Sequence, residues 1–267
     1  MIDAVLFDLG DTIIDFGVGR REAELLFRQG ARLTYRDLTT RQLPNLPTFD
    51  RYFKVHYRIM QRAYLWSKIS RRDFSYDSVL SRAAGKLGLK LSHEDLHRLA
   101  HLWYQPINLA SDIDAGVGPM LQQLQAAGTR LGLVSNTLVP GHCLDKHLEE
   151  EGILHFFPTR IYSSHVRYRK PHPRIFEIAL EKIGIPASRT LFIGDLLKAD
   201  ISGAKKMGMH TIWKPARNAW RNGHLPTPRR HHADAIIHKV THLPEALLKF
   251  GWRPTHRIAP QSPQVSI

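Results

Sequence analysis

Three short apolar runs in the sequence end in polar side chains that could carry out chemistry. The first run, AVLF, leads into Asp8 and, three residues later, into Asp11. The other two runs end in Ser135 followed by Asn136, and in Asp195. A strand that served only the core would be expected to end in apolar residues. Because ligands bind at the carboxyl ends of the strands in an open parallel sheet, we expect these side chains to share one site.

Carboxylates gathered at such a site need a positive partner. Asp8 and Asp195, joined by Asp200 at a predicted helix start, would repel one another unless a cation lay between them. Oxygen ligands favour a hard divalent cation, and we expect Mg²⁺. The Lys170 ammonium and the Ser135 hydroxyl could bind phosphate oxygens while a carboxylate attacks phosphorus. These residues predict phosphoryl transfer on a small phosphorylated substrate.

Alternating strands and helices are needed to position these residues, and the apolar pattern supplies them. The strands are predicted at 2–7, 131–134, 160–163, 191–193, 211–213 and 235–237. Helices are predicted between them at 118–127, 144–151, 174–183 and 200–207. This alternation predicts an α/β fold with a Rossmann-like, doubly wound parallel sheet.

A second pattern interrupts this alternation after the first strand. From Arg20 to about Trp103 the apolar residues follow helical spacing, and Ser92 with the acidic residues after it predicts a helix N-cap. We therefore predict a Rossmann-like core formed by residues 1–16 and 116–250. The cap segment, residues 17–115, is predicted to be an all-helical insertion, and residues 251–267 a disordered basic tail.

Composition limits the class of protein. The chain has 267 residues, 43% of them hydrophobic, and a single cysteine, so a disulfide framework and a cysteine-rich zinc cluster are excluded. No apolar run reaches the length of a membrane span, and the N-terminus lacks the pattern of a signal peptide. We expect a cytoplasmic protein without a membrane partner, and the sequence does not indicate its oligomeric state.

The net charge of +14 favours a negatively charged ligand. The excess lies in the cap segment, with 17 basic against 10 acidic residues, and in residues 214–267, with 9 against 2. The segment 214–230 also interleaves arginines with Trp213 and Trp220, a mixture that can hold nucleic acid by stacking and phosphate contact. A solvated surface loop is the favoured interpretation, and nucleic acid remains a possible partner that is not favoured.

Four segments resemble the sequence motifs of the haloacid dehalogenase superfamily, in the same order and at suitable separations. They are FDLGDT, LVSNT, RKPHPRIF and FIGDLLKADISGAKKMGM, and the resemblance spans most of residues 1–213. It implies a phosphatase-like hydrolase with a helical cap inserted after the first motif. The dehalogenases themselves usually carry Ser-Asn where this chain has Gly194 and Asp195, a difference that favours Mg²⁺-dependent phosphatase chemistry.

The resemblance implies a role for each matching residue. Asp8 matches the nucleophile that becomes an aspartyl-phosphate, Ser135 the hydroxyl that binds the phosphoryl group, and Lys170 the lysine that pairs with both. Asp195 matches the acidic metal ligand. Asp200 matches a second acid that supports the metal, although a plain N-cap role is also open to it.

Further residues are expected to contact the metal or the substrate. The family uses the main-chain carbonyl at the position of Gly10 as a metal ligand. Asn136 in the second motif is predicted to bind substrate. So are Arg20 and Arg21, which follow a glycine-rich hinge and could reach an anion, although solvated helical arginines are the commoner case.

Gly10 departs from the phosphatase pattern, which has an aspartate there as general acid and base. Losing such a group costs about two to four orders of magnitude in rate. Asp11 could replace it, or the substrate could carry a leaving group of low pKa that needs little protonation, which is the interpretation we favour. In the third alternative the protein is a weak or lost catalyst that keeps its phosphate and Mg²⁺ site for binding. The alternative function is then that of a catalytically weak protein that binds nucleic acid or another polyanion through its basic cap and tail.

Overall fold

The computed structural model describes residues 1–17, 20–217 and 233–254 of the chain, with Arg20 and Arg21 described by their main chain only. The predicted contacts of Arg20 and Arg21, and most of the basic segment 214–230 and of the tail, lie outside this part. Within the described residues, no helix is long and apolar enough to cross a membrane.

A six-stranded parallel sheet forms the centre of the fold, which confirms the predicted α/β class. The strands lie in the order β3-β2-β1-β4-β5-β6. Their bounds are Ala4–Phe7 for β1, Arg130–Ser135 for β2, Thr159–Tyr162 for β3, Thr190–Gly194 for β4, His210–Trp213 for β5 and Ala235–Ile236 for β6. Each of the six predicted strands is present, and the central strands β1 and β4 are buried along their whole length, as in a parallel sheet covered on both faces.

The register of the central strands brings the three polar strand ends to one edge. Phe7 at the end of β1 pairs with Leu133 on β2 and with Ile193 on β4. Asp8 directly follows Phe7, and Ser135 and Asp195 each lie two residues after the paired positions Leu133 and Ile193. The chain continues from β1 at Asp8, whose main-chain N–H donates to the Ile193 carbonyl at 2.8 Å.

Helices cover the sheet, and alternate residues of the strands face opposite layers. Val5 and Phe7 of β1 belong to one apolar cluster, while Ala4 and Leu6 belong to the other. The helices of this part are α5 (Val117–Ala126), α6 (Gly141–Glu150), α7 (Ser163–Val166), α8 (Pro173–Ile183), α9 (Ser202–Lys206) and α10 (Leu243–Leu247).

The cap segment contains four helices. They are α1 (Arg20–Thr40), α2 (Phe49–Ser70), α3 (Tyr76–Leu87) and α4 (His93–Ala110). The predicted cap at Ser92 is confirmed as a capping box, in which the Ser92 hydroxyl accepts from the Asp95 N–H at 3.0 Å and the Asp95 carboxylate accepts from the Ser92 N–H at 2.9 Å. α4 therefore begins where the sequence placed it.

Two features near the chain's end differ from the prediction. The helix predicted at 200–207 is a π-helical turn, Leu197–Ile201, followed by the short α9. Trp252, within the predicted tail, is 3% exposed, and its indole N–H donates to the Thr129 hydroxyl at 2.8 Å. Burying this large aromatic ring ties residues 251–252 to the core, and residues 255–267 lie outside the described part.

Candidate active site

Lys170 is at the centre of a buried cluster of charged groups at the carboxyl edge of the sheet. Its side chain is almost completely buried, and Nζ donates to Asp8 Oδ1 at 2.6 Å and to the Val134 carbonyl at 2.7 Å. Asp200 Oδ1 lies 2.7 Å from the same nitrogen. The structure therefore brings together residues from the first, third and fourth motifs, which are up to 192 positions apart in the chain.

Asn136 holds the main chain of Lys170 from both sides. Its Oδ1 accepts from the Lys170 N–H at 2.7 Å, and its Nδ2 donates to the Lys170 carbonyl at 3.0 Å. These two bonds fix the position of the Lys170 main chain relative to the end of β2. Asn136 thus has a positioning contact that the sequence did not indicate, and its predicted contact with substrate stays a prediction.

Three carboxylates converge beside the lysine. Oxygens of Asp8, Asp195 and Asp200 all lie within 4.8 Å of one another. Burial, followed by the repulsion of Asp8 and Asp200, raises the pKa of Asp195 to about 9. Burial likewise raises the pKa of Asp200 to about 6, against the lowering effect of Lys170. One lysine therefore does not neutralise this group of carboxylates.

The cluster fits a hard divalent cation. Asp200 Oδ1 is close to Lys170 Nζ, but the contact lacks the angles of a hydrogen bond, so this buried oxygen has no hydrogen-bond partner. A buried carboxylate oxygen without a hydrogen-bond partner, beside two further carboxylates, offers the all-oxygen donor set that Mg²⁺ takes. Asp8, Asp195 and Asp200 are the side chains that would hold the ion.

The local backbone aims Asp200 into the cluster. Its second oxygen, Oδ2, accepts from the Leu196 N–H at 2.9 Å, four residues earlier, across the π-helical turn. This bond runs backward along the chain, and α9 begins only at Ser202, so Asp200 is not the N-cap that the sequence left open. Gly194 is needed beside it, because a Cβ there would lie 2.6 Å from three atoms of Asp200.

Ser135 ends β2 on the same edge. Its side chain is buried, and it directly follows Val134, whose carbonyl accepts from Lys170. Ser135 therefore lies at the same strand end as the Lys170 contact, and its predicted phosphoryl contact stays a prediction.

A side chain at position 10 would contact Phe16. A Cβ on Gly10 would lie 3.1 Å from the edge of the Phe16 ring, so a small displacement of Phe16 would admit one. Asp11 has a left-handed backbone, with φ of 54°, and burial together with the charge of Asp15 raises its pKa. Asp11 is thus a partly buried carboxylate next to the position of the missing acid.

Lys214 is a further cation at this edge that the sequence analysis did not single out. It directly follows β5, and its Nζ donates to the Asp11 carbonyl at 2.6 Å. Burial lowers its pKa, against the charges of Asp15, Asp11 and Asp195. The signal that identified the other strand ends, a polar residue after an apolar run, was also present here.

The nucleic-acid interpretation loses one of its aromatic residues. Trp213 is 2% exposed, and its indole N–H donates to the Asp195 carbonyl at 2.8 Å. A ring buried in this way is not available to stack on a base, so it supports the site and not a nucleic-acid surface. Trp220 and the arginines at 221, 229 and 230 lie outside the described residues.

The cap segment contacts the core next to Lys170. Arg72, after α2, pairs with Tyr168 in an antiparallel bridge. The adjacent Asp73 accepts from the Ser163 hydroxyl at 2.7 Å. Tyr168 is two residues from Lys170, so the cap segment contacts the loop that carries the lysine.

Known proteins resemble this chain in sequence and in fold. A glyceraldehyde 3-phosphate phosphatase of Pyrococcus abyssi is 29% identical over 218 residues, covering 80% of this chain and 81% of that protein. The HAD-hydrolase YfnB of Bacillus subtilis is 28% identical over 211 residues, covering 78% and 82%. Among solved structures, a 2-haloacid dehalogenase from Pseudomonas syringae aligns over 94% of this chain and 100% of its own, with a TM-score of 0.60 and 24% identity.

The fold match includes dehalogenases, so it does not by itself distinguish their chemistry from that of phosphatases. The haloacid dehalogenase-like hydrolase model matches residues 2–208, which include the first three motifs, the fourth up to Gly208, and the clustered charges. The chain therefore belongs to the haloacid dehalogenase-like hydrolase family.

Proposed function

We propose that the protein is a Mg²⁺-dependent phosphatase that hydrolyses a small phosphomonoester through an aspartyl-phosphate on Asp8. The observation that carries the proposal is the Lys170 contact set: one buried ammonium touches Asp8 and Asp200 beside a third carboxylate, Asp195. Such a cluster suits a dianionic phosphoryl group bound together with a divalent cation. The carboxylates pair with the cation, and the Lys170 ammonium pairs with the phosphoryl oxygens. The Pyrococcus abyssi relative is named as a phosphatase, which supports this choice.

Asp8 is suited to act as the nucleophile. Lys170 holds its Oδ1, which leaves Oδ2 to attack phosphorus. As the new P–O bond forms, the bond to the leaving oxygen breaks and the leaving group takes its electron pair. Water then releases phosphate and restores the carboxylate. Lys170 and the Ser135 hydroxyl would bind the phosphoryl oxygens, and a bound Mg²⁺ would neutralise their charge.

The leaving group needs attention because Gly10 provides no acid. An alkoxide that leaves unprotonated is costly unless its conjugate acid has a low pKa. We therefore propose a preference for phosphate esters with good leaving groups. Asp11, next to Gly10, is the other candidate source of a proton. If Asp11 protonates the leaving group, turnover depends little on leaving-group pKa; if no group does, turnover rises as that pKa falls.

Release of inorganic phosphate from a panel of phosphomonoesters tests the proposal. The panel should span leaving-group pKa and include glyceraldehyde 3-phosphate, assayed with Mg²⁺ and with EDTA. We expect turnover that requires Mg²⁺ and is abolished in Asp8→Asn. Asp3→Asn is the matched control, because Asp3 lies just before the opposite end of β1 and its carboxylate pairs with Arg189 away from the site.

The pattern of rates separates the alternatives. Turnover that rises as leaving-group pKa falls supports the preference drawn from Gly10, whereas equal turnover on all esters indicates that another group supplies the proton. Activity that survives Asp8→Asn would refute the covalent mechanism. If no ester is hydrolysed, salt-sensitive binding of nucleic acid that is indifferent to Asp8→Asn would support the polyanion-binding alternative.

A further inference from the structure

A second cluster of metal-ligand side chains lies away from the strand ends, where the cap segment meets the core. Its members are His97 and His101 on α4 and His142 on α6. One ring nitrogen of each histidine lies within 4.8 Å of those of the other two. The two α4 residues are four positions apart, the spacing that places two side chains on one helix face.

The helices that carry the cluster, α4 and α6, contact each other at further points along their length. This packing keeps the three histidines close together. Further along the same pair of helices, the Tyr104 hydroxyl lies 2.9 Å from His147 Nδ1. Beyond it, Asn108 Nδ2 donates to a Glu150 carboxylate oxygen at 3.1 Å. Sites carried by packed helices are positioned more precisely than sites on loops.

One pair of ring nitrogens in the cluster is as close as two ligands of one cation. His142 Nδ1 and His101 Nε2 share a hydrogen bond at 3.1 Å, which a bound cation would replace. Two imidazole nitrogens on one tetrahedral zinc ion are about 3.3 Å apart, given Zn–N bonds of about 2.0–2.1 Å. The His97 ring now stacks on the His142 ring, with centroids 3.7 Å apart, so His97 must rotate to complete the site. His97 is exposed, and the rotation would break its stacking on His142.

Asp77 supplies the outer partner that a ligating histidine usually has. Its Oδ1 is buried without a hydrogen-bond partner and lies 3.6 Å from His142 Nε2. Carboxylates in this position fix the tautomer by accepting from one ring nitrogen, which leaves the other nitrogen to bind the metal. A hydrogen bond from His142 Nε2 to Asp77 would leave Nδ1 of His142, the nitrogen that faces His101, as the ligand.

We propose that His97, His101 and His142 bind one transition-metal cation of the Zn²⁺ class, joining the cap segment to the core. Imidazole nitrogen selects such cations over Mg²⁺, whereas the carboxylate cluster at the strand ends favours Mg²⁺. The chain thus carries two sites of different donor chemistry. A cation in the histidine site ties α4 to α6 and stabilises the packed arrangement of cap and core.

Calorimetric titration of the full-length protein with ZnCl₂, in saturating Mg²⁺, tests the site. We expect wild type to bind one equivalent that is absent in His97→Gln and in His142→Gln. Asp77→Asn should weaken this equivalent about 10- to 100-fold, the usual effect of removing an outer carboxylate. His93→Gln is the matched control, because His93 lies one turn earlier on α4 and outside the cluster, and it should bind as wild type does.

A second readout, thermal unfolding, does not depend on the heat of binding. Zn²⁺ should raise the thermal unfolding midpoint of wild type and of His93→Gln, but not that of His97→Gln. Equal Zn²⁺ binding in wild type and His97→Gln would overturn the proposal, since the metal would then be held by histidines elsewhere in the chain. No binding by wild type would overturn it as well. His97 is exposed, so its variant decides the question even if His142→Gln does not fold.

Discussion

The core and the cap segment each bury a group of polar side chains, but only the group in the core contains unbalanced charge. In the core, Lys170 faces three carboxylates, one of which has an oxygen without a hydrogen-bond partner. In the cap segment, the Tyr52 hydroxyl donates to Thr34 at 2.8 Å, and Thr34 donates to the Ala31 carbonyl at 2.9 Å. His56 Nδ1 completes this group, 3.0 Å from the Tyr52 carbonyl.

The difference separates a functional group of side chains from a structural one. The cap group is neutral and its bonds are satisfied, so it stabilises the helices without needing a ligand. The core group retains excess negative charge, which costs free energy until a cation and a substrate bind. We therefore expect substitutions in the core group to change catalysis most, and substitutions in the cap group to change stability.

Lys170→Met should have the largest effect. The substitution removes the only cation among the described side chains that contacts both Asp8 and Asp200. We expect turnover to fall by about 10³-fold, as on loss of a strong electrostatic contact in an active site. Steady-state kinetics in saturating Mg²⁺ would measure it, with Lys182→Met, an exposed lysine on α8, as the control.

The cap group offers the opposite test of the comparison. Tyr52→Phe removes one buried hydrogen bond, so we expect a loss of about 1 kcal/mol in the free energy of unfolding and unchanged turnover. If Tyr52→Phe lowered turnover as Lys170→Met does, the cap group would have a catalytic role, and the division between the two groups would be wrong.

The cap group should also make the protein sensitive to acid. Burial lowers the pKa of His56 to about 4 from an unfolded value of 6.5. The unfolded chain therefore takes up this proton at a higher pH than the native chain. Native stability from His56 is complete above pH 6.5 and is lost as the pH falls toward 4, by about 3 kcal/mol.

Urea unfolding at several pH values between 7 and 4 measures this loss. His56→Leu cannot take up the proton, so its stability should decline less than that of wild type over this range. His93→Leu, which removes an exposed histidine, should follow wild type. Parallel curves for wild type and His56→Leu would show that His56 does not control the acid sensitivity.

The sequence predicted the strand ends well, because a polar residue after an apolar run is a local signal. It placed Asp8, Ser135 and Asp195 at one edge of the sheet and assigned Lys170 to the same site. It did not predict that Asn136 holds the Lys170 main chain, because that contact joins residues 34 positions apart. The same limit applies to the histidine cluster, where His142 meets α4 only in the folded chain.

Boundaries within the core were less predictable for a different reason. The helix expected at 200–207 begins as a π-helical turn because the Asp200 carboxylate bonds to the Leu196 N–H. α10 contains Pro244 at its start and is only five residues long, too short for periodicity to reveal. Side-chain bonds to the main chain and very short helices leave little pattern in the sequence.

Gly10→Asp tests the remaining question about the core group, namely whether it lacks only an acid. The change places a carboxyl group two residues after Asp8, where the family carries its general acid and base. Gly10 does not have a positive φ, and the Phe16 ring edge, 3.1 Å from the new Cβ, needs to yield only slightly. We expect turnover of esters with poor leaving groups to rise by about 10²-fold, the lower end of the effect of such a group.

The control for this gain is Gly10→Asn, which has nearly the same shape but cannot donate or accept the proton in the same way. Good leaving groups need no acid, so their turnover should change little in either variant. A rise limited to poor leaving groups and to Gly10→Asp would show that the site is otherwise complete. If Gly10→Asp and Gly10→Asn behave alike, the proton already comes from another group, and Asp11→Asn should then remove activity on poor leaving groups. The partly buried Asp11 carboxyl, whose pKa is raised by burial and by Asp15, is the described side chain best suited to that role.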